Sequence, residues 1–129
     1  MRKEVKDWIA QAEQDYQAAE YNFKGRLFSY ATFLCQQSLE KALKALYIHE
    51  KKLKSPKSHS LIFLAKHTTL PKQFYSFLGE LTPTFITTRY PDVAGDLPSE
   101  IYTSEYTSEL MEKSKEVLEW IKKKLSVDS

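Results

Sequence analysis

Glycine is scarce in this chain: only Gly25, Gly79 and Gly95 occur in 129 residues. That excludes a glycine-rich loop of the kind that cradles phosphate, and it disfavours hairpin-rich β folds, which depend on glycine for their tight turns. Cysteine is scarcer still. The lone Cys35 has no internal disulfide partner and no metal-type spacing, which points to a reducing compartment. Apolar runs are short, with none of about 18 residues, so no membrane span is expected. The opening "MRKEVKDWIAQAEQD" is charged from its second residue and lacks the apolar core of a signal peptide. No histidine occurs after His67. These absences together predict a soluble cytoplasmic protein without a membrane partner.

What is present is globular. Hydrophobic residues make up 42% of the chain and charged residues 28%, a balance that folds rather than stays disordered. At this length the expectation is one domain, residues 1–129, around one core. The net charge of +2 says little, but its distribution says more. Between Lys51 and Tyr75 stand Lys51, Lys52, Lys54, Lys57, Lys66 and Lys72 with no acidic residue, and His59 and His67 fall in the same stretch. Such a block is either a solvated lysine-rich loop or a source of positive potential that attracts phosphate.

Hydrophobic periodicity predicts helix almost throughout. Val5, Trp8, Ile9, Ala12, Tyr16, Ala19 and Phe23 recur at three- and four-residue steps over residues 3–24, with Gly25 as the stop. A second helix is expected over 27–53, with Phe28, Ala31, Cys35, Ser38, Ala42 and Leu46 as its stripe, widened by Leu34, Leu39 and Leu43. So short a connection allows only an antiparallel hairpin. "KSPKSHS" ends the hairpin, and Ser58 or Ser60 is placed to cap a short helix through "LIFLAKH". Pro71 suits the first turn of a fourth helix carrying Phe74, Phe77, Leu78 and Leu81. Pro83 interrupts that helix and biases Thr82 away from helical dihedrals, and "TFITT" is expected to restart it. Residues 92–100 read as a loop. A last helix over Thr103 to Leu125 buries Tyr106, Leu110, Val117, Leu118, Ile121 and Leu125. The fold class is all-α: an up-and-down bundle of four to five helices built on a long antiparallel helical hairpin.

Two stretches carry candidate chemistry. On the second helix, Gln37, Glu40, Lys41 and Lys44 lie three and four residues apart and share a strip of surface beside the apolar stripe. The strip serves either as helix-stabilising pairs or as the polar lining of a groove. The other stretch is "RYPD", Arg89 to Asp92. Pro91 forces Tyr90 to be extended, so helix must end near Arg89, where a cation is favoured and Asp92 stands near enough to pair with it. The same geometry suits a ligand: a guanidinium is a rigid fork for phosphate, and an exposed tyrosine stacks on a base. His59 opens the third helix, with Lys57 two residues earlier, a position that favours phosphate or simple capping. The histidines have no metal-ligand spacing, and neither metal nor cofactor is expected.

"FLCQQSLEKALKALYI", "PKSHSLIFLAKH", "RYPD" and the closing amphipathic helix, taken in this order, resemble a HEPN domain over nearly the whole chain, Glu4 to Leu125. The resemblance implies a helical bundle, frequent homodimers, and nucleotide or RNA binding. Stand-alone prokaryotic members are often encoded beside a minimal nucleotidyltransferase as a two-protein, toxin–antitoxin-like system. The site it implies gathers Arg89, Tyr90, Asp92, His59, Lys57 and Lys41 around a phosphate-bearing ligand. Some members resemble one another as metal-independent ribonucleases, with a histidine four to six residues after an arginine near the last helix. Here Arg89 is followed by "YPDVAGDLPSE", without that histidine. A binding module is therefore the leading expectation. A ribonuclease and a purely structural assembly partner are the alternatives.

Overall fold

A computed structural model describes residues 1–128. Helix α1 (Lys3–Lys24) and helix α2 (Phe28–Lys51) form the expected long hairpin. By the helical rise each is roughly 30–40 Å long. Small residues on the facing stripes, among them Ala12, Ala19, Ala31 and Ala42, are fully buried and let the two backbones approach closely. Ser38 Oγ uses that proximity to donate to the Ala12 carbonyl at 2.7 Å. This buried bond across the hairpin contributes about 0.5–1.5 kcal/mol. The helix α8 (Ser104–Val127) completes the main bundle with Val117, Leu118, Ile121 and Leu125 buried. Thr103 caps it by accepting from the Tyr106 amide at 3.1 Å. Tyr16 ties α1 to α8 through its hydroxyl, which donates to the Met111 carbonyl at 3.0 Å.

Between α2 and α8 the chain runs through short helices: α3 (Leu61–Lys66), a single 3₁₀ turn (Lys72–Phe74), α4 (Tyr75–Leu81), α5 (Thr84–Thr87), α6 (Pro91–Ala94) and α7 (Pro98–Ile101). Ser60 caps α3 by accepting from the Phe63 amide, whereas Ser58 turns back to accept from the Ser60 amide. Leu61, Leu64, Leu78 and Leu81 anchor α3 and α4 in the core.

Several local expectations change. Thr82 keeps helical dihedrals (φ −50°, ψ −50°) despite preceding Pro83. Its hydroxyl donates to the Leu78 carbonyl at 2.8 Å and accepts from the Leu61 amide at 3.0 Å, and these bonds outweigh the pre-proline bias. Helix therefore restarts as α5 with Pro83 just before it. Residues 92–100 are not an open loop. Pro91 and Pro98 each start a helical turn at the position proline favours, and Gly95 closes the first turn at φ 83°. Tyr106 is half-buried rather than buried, its hydroxyl donating to Glu80 at 2.7 Å, while Tyr102 takes the buried position. Among the described residues no helix is long and apolar enough to cross a membrane.

Candidate phosphate-binding site

The break between α5 and α6 presents "RYPD". Backbone bonds from the Arg89 and Tyr90 amides to the Ile86 carbonyl (3.0 and 3.2 Å) close the end of α5. Tyr90 is extended (φ −125°, ψ 108°), as Pro91 requires. Arg89 is exposed, but its side chain is held. Nε donates to the Phe85 carbonyl at 2.7 Å, one helical turn back. Its guanidinium lies 4.7 Å from the Phe33 ring centre and 5.3 Å from that of Tyr90. The contacts leave the two terminal nitrogens without a protein partner among the described residues, a fork fixed in place and open to an oxyanion. Tyr90 is 48% exposed, so its ring also offers a stacking face.

Phe85 joins this arginine to His59. Its ring lies against the imidazole, centroids 4.7 Å apart and planes tilted by 33°. His59 Nδ1 sits 2.8 Å from Oε1 of Glu40 on α2. Gln36 Nε2 reaches both the His59 carbonyl (3.2 Å) and Glu40 Oε1 (3.3 Å). Lys44 donates to Glu40 Oε2 at 3.1 Å and places its ammonium 5.6 Å from the Trp8 ring centre. Burial pulls the Glu40 carboxyl up. The hydrogen bonds from His59 and Lys44, the Lys44 charge and Gln36 outweigh it and hold the group below the usual carboxylate range. Glu40 is thus an anion in a buried position, with its partners supplied by α2 and by the chain entering α3.

The structure brings together Arg89, Tyr90 and His59, linked through Phe85. The other sequence candidates lie differently. Lys41 turns its ammonium to the nearly buried Asp15 on α1, and Gln11 also donates to Asp15, at 3.0 Å. Adjacent positions on a helix point about 100° apart, so Glu40 and Lys41 cannot serve one face. Asp92 falls in the first turn of α6, exposed, and makes no ion pair with Arg89 among the described residues. Lys57 is exposed in the connection before α3. Phe33 and Phe85 were missed by sequence reasoning. Phe85 was findable, because it lies four residues before Arg89 in a stretch read as helix.

The six lysines between Lys51 and Lys72 are all exposed, and none is ion-paired among the described residues. They give the stretch from Lys51 to Lys72 a net positive field, with Lys57 two residues from His59 in sequence. Arg89 and His59 are both exposed on their face of the molecule. A concavity of about 420 Å³ lies instead toward the C-terminal end of α2, lined by residues including His49, Glu50, Lys66, His67 and Asp128. It sets acidic against basic groups and holds neither arginine nor tyrosine. Among the described residues no group of three or more His, Cys, Asp or Glu is arranged to hold a metal ion.

The fold and this face define a class: a small all-α domain, built on a long hairpin, with a cationic and aromatic surface where its short helices break. The chain matches the HEPN domain over residues 5–125, and it belongs to that family of nucleotide-binding and ribonuclease-type modules. It is similar to the crystal structure of TT1696 from Thermus thermophilus, with 25% identity, a TM-score of 0.85, and coverage of 95% of this chain and 99% of that one. It is also similar to ST0689, an archaeal HEPN homologue, with 29% identity, a TM-score of 0.75, and coverage of 95% and 98%. No curated protein matches the chain.

Proposed function

We propose that this HEPN domain binds a nucleotide or single-stranded RNA on the Arg89–Tyr90–His59 face, with Arg89 gripping a phosphate. The carrying observation is the state of Arg89: its Nε is committed to Phe85, its plane is steadied by Phe33 and Tyr90, and its terminal nitrogens are open. A guanidinium held this way loses little freedom when it grips an oxyanion. Tyr90 supplies a stacking surface, and the exposed lysines, Lys57 among them, supply long-range attraction. Asp92 borders the face in sequence, exposed in the first turn of α6. Lys41 supports the hairpin through Asp15 and stands behind the site rather than in it. The family resemblance supports the finer setting: a cytoplasmic homodimer paired with a minimal nucleotidyltransferase in a two-protein, toxin–antitoxin-like system.

Arg89→Ala is expected to weaken nucleotide or RNA binding by about 1–3 kcal/mol, the range for hydrogen bonds to charged groups. Its effect on folding stability should stay within about 1 kcal/mol, as for an exposed cation at a helix end. Arg89→Lys should restore stability more fully than affinity, since lysine keeps the charge and loses the fork. Titrations at two salt concentrations check this. Unchanged affinity in a folded Arg89→Ala protein would mean that "RYPD" is a structural clasp alone.

A further inference from the structure

We infer that Glu40 is a positioning residue that fixes His59 as a hydrogen-bond acceptor toward the ligand, and that the site consequently prefers ribonucleotides to their 2′-deoxy counterparts. The inference rests on the phosphate-site reading and extends it to the sugar.

An ionised carboxylate only accepts hydrogen bonds. Glu40 is held ionised by its buried contacts, so the 2.8 Å contact requires Nδ1 of His59 to carry the proton and donate it. In the neutral ring the other nitrogen, Nε2, is then a bare acceptor. It has no protein partner among the described residues, and the side chain is 59% exposed. The imidazole cannot easily turn to reverse these roles. Gln36 grips both the His59 carbonyl and the Glu40 oxygen, and Phe85 covers one face of the ring. Lys44 occupies the second oxygen of Glu40 and keeps the carboxylate from swinging away.

Phosphate oxygens do not donate hydrogen bonds, so a neutral His59 in this state is poorly matched to phosphate. A hydroxyl is its natural partner. Phe85 holds Arg89 through its carbonyl and His59 through its ring, so the phosphate fork and the hydroxyl acceptor are both fixed to the same residue. That juxtaposition suits a phosphate and its adjoining ribose. The ribose 2′-hydroxyl is the group that distinguishes RNA from DNA at a single site.

The test measures the affinity of the full chain for a short single-stranded oligoribonucleotide and for the deoxy oligomer of matching sequence. It is run at about pH 8, above the ordinary imidazole range. The wild type is expected to favour the ribo form by about three- to tenfold, the value of one good hydrogen bond. His59→Phe keeps the ring against Phe85 and removes Nε2, so the ratio should fall to near one. Glu40→Gln frees the opposite tautomer by offering an amide N–H to Nδ1, and it should lower the ratio as well. Nitrogen-15 shifts of the imidazole should report Nδ1–H in the wild type and a move toward Nε2–H in Glu40→Gln. Arg89→Ala should weaken both oligomers and leave the ratio standing. A wild-type ratio near one overturns the inference, as does a ratio that survives His59→Phe. If Arg89→Ala instead leaves both affinities untouched, the phosphate site itself is wrong.

Discussion

At the scale of single residues, legibility followed backbone constraint. Arg89 and Tyr90 stood out because Pro91 dictates where helix must end, and the structure ends it there. His59 stood out as the first histidine in a lysine-rich stretch, but its partner Glu40 was visible only as one member of a polar strip. Nothing in linear spacing says which of Glu40 and Lys41 turns toward the short helices. That depends on how α2 is rotated against α1, which packing across the whole hairpin decides. Asp15 illustrates the point: it looks like a surface carboxylate in sequence, yet it is nearly buried and receives Lys41. Cys35 lies in the core, as its place on the apolar stripe implies. Burial pushes its thiol up to about 12, consistent with an unreactive side chain. Glu40 yields a prediction here. Its folded carboxyl titrates below its unfolded value, so it contributes stability above the unfolded carboxylate range, and that contribution is lost as pH falls through the folded value. Glu40→Gln should cost about 1–3 kcal/mol at neutral pH, since the charge is lost and the amide nitrogen cannot accept from Lys44 or Gln36, so part of the network is broken. Wild-type and variant stabilities should converge only at acid pH, below the ordinary glutamate range. Urea unfolding across pH checks this, and a gap that persists at acid pH would speak against it.

At the scale of elements, the long helices were readable because an apolar stripe repeated over six turns has one interpretation. The region from Thr82 to Ile101 was harder. Four-residue helices contain a single turn, too short for periodicity to register, and their starts are set by proline placement and tertiary hydrogen bonds such as the one from Leu61 to Thr82. Helix ends show a related limit. Lys52 closes α2 in the left-handed region (φ 59°), a role that usually falls to glycine, and Arg26 does likewise (φ 63°) in the turn after α1. Gly25 does stop α1, but at φ −79° it leaves the left-handed conformation to Arg26. A non-glycine residue in the left-handed region is strained by about 1–2 kcal/mol, and glycine's greater unfolded-state freedom returns up to about 1 kcal/mol. Lys52 is exposed. Lys52→Gly is therefore expected to stabilise the protein by about 0.5–1 kcal/mol, seen as a thermal midpoint raised by a few degrees. A lower midpoint would show that the lysine side chain contributes more than its backbone strain costs.

At the scale of the whole molecule, the bundle leaves apolar area uncovered around the hairpin turn. Tyr21 is 81% exposed, Tyr30 54% and Leu27 51%, on helices whose inner faces are already packed. Aromatic side chains on a second face of a bundle helix suit a partner, and we expect a homodimer that uses them. Sedimentation equilibrium at micromolar concentration should give twice the chain mass, and Tyr30→Glu should shift it toward the monomer. A monomeric wild type would remove this expectation. The charge layout belongs to this scale too: a stretch of exposed lysines without acids runs through the chain that presents His59, and Arg89 offers a steadied guanidinium on the same face. The central claim is that this face, and not the concavity near His49 and His67, receives the phosphate. The most direct test is an NMR titration of the nitrogen-15-labelled protein with a short oligoribonucleotide. The Arg89 Nε–H and the amides of His59 and Tyr90 are predicted to shift first and together, while those of His49, His67 and Thr69 stay in place. Shifts confined to the His49–His67 end of α2, with Arg89 unmoved, would contradict the account.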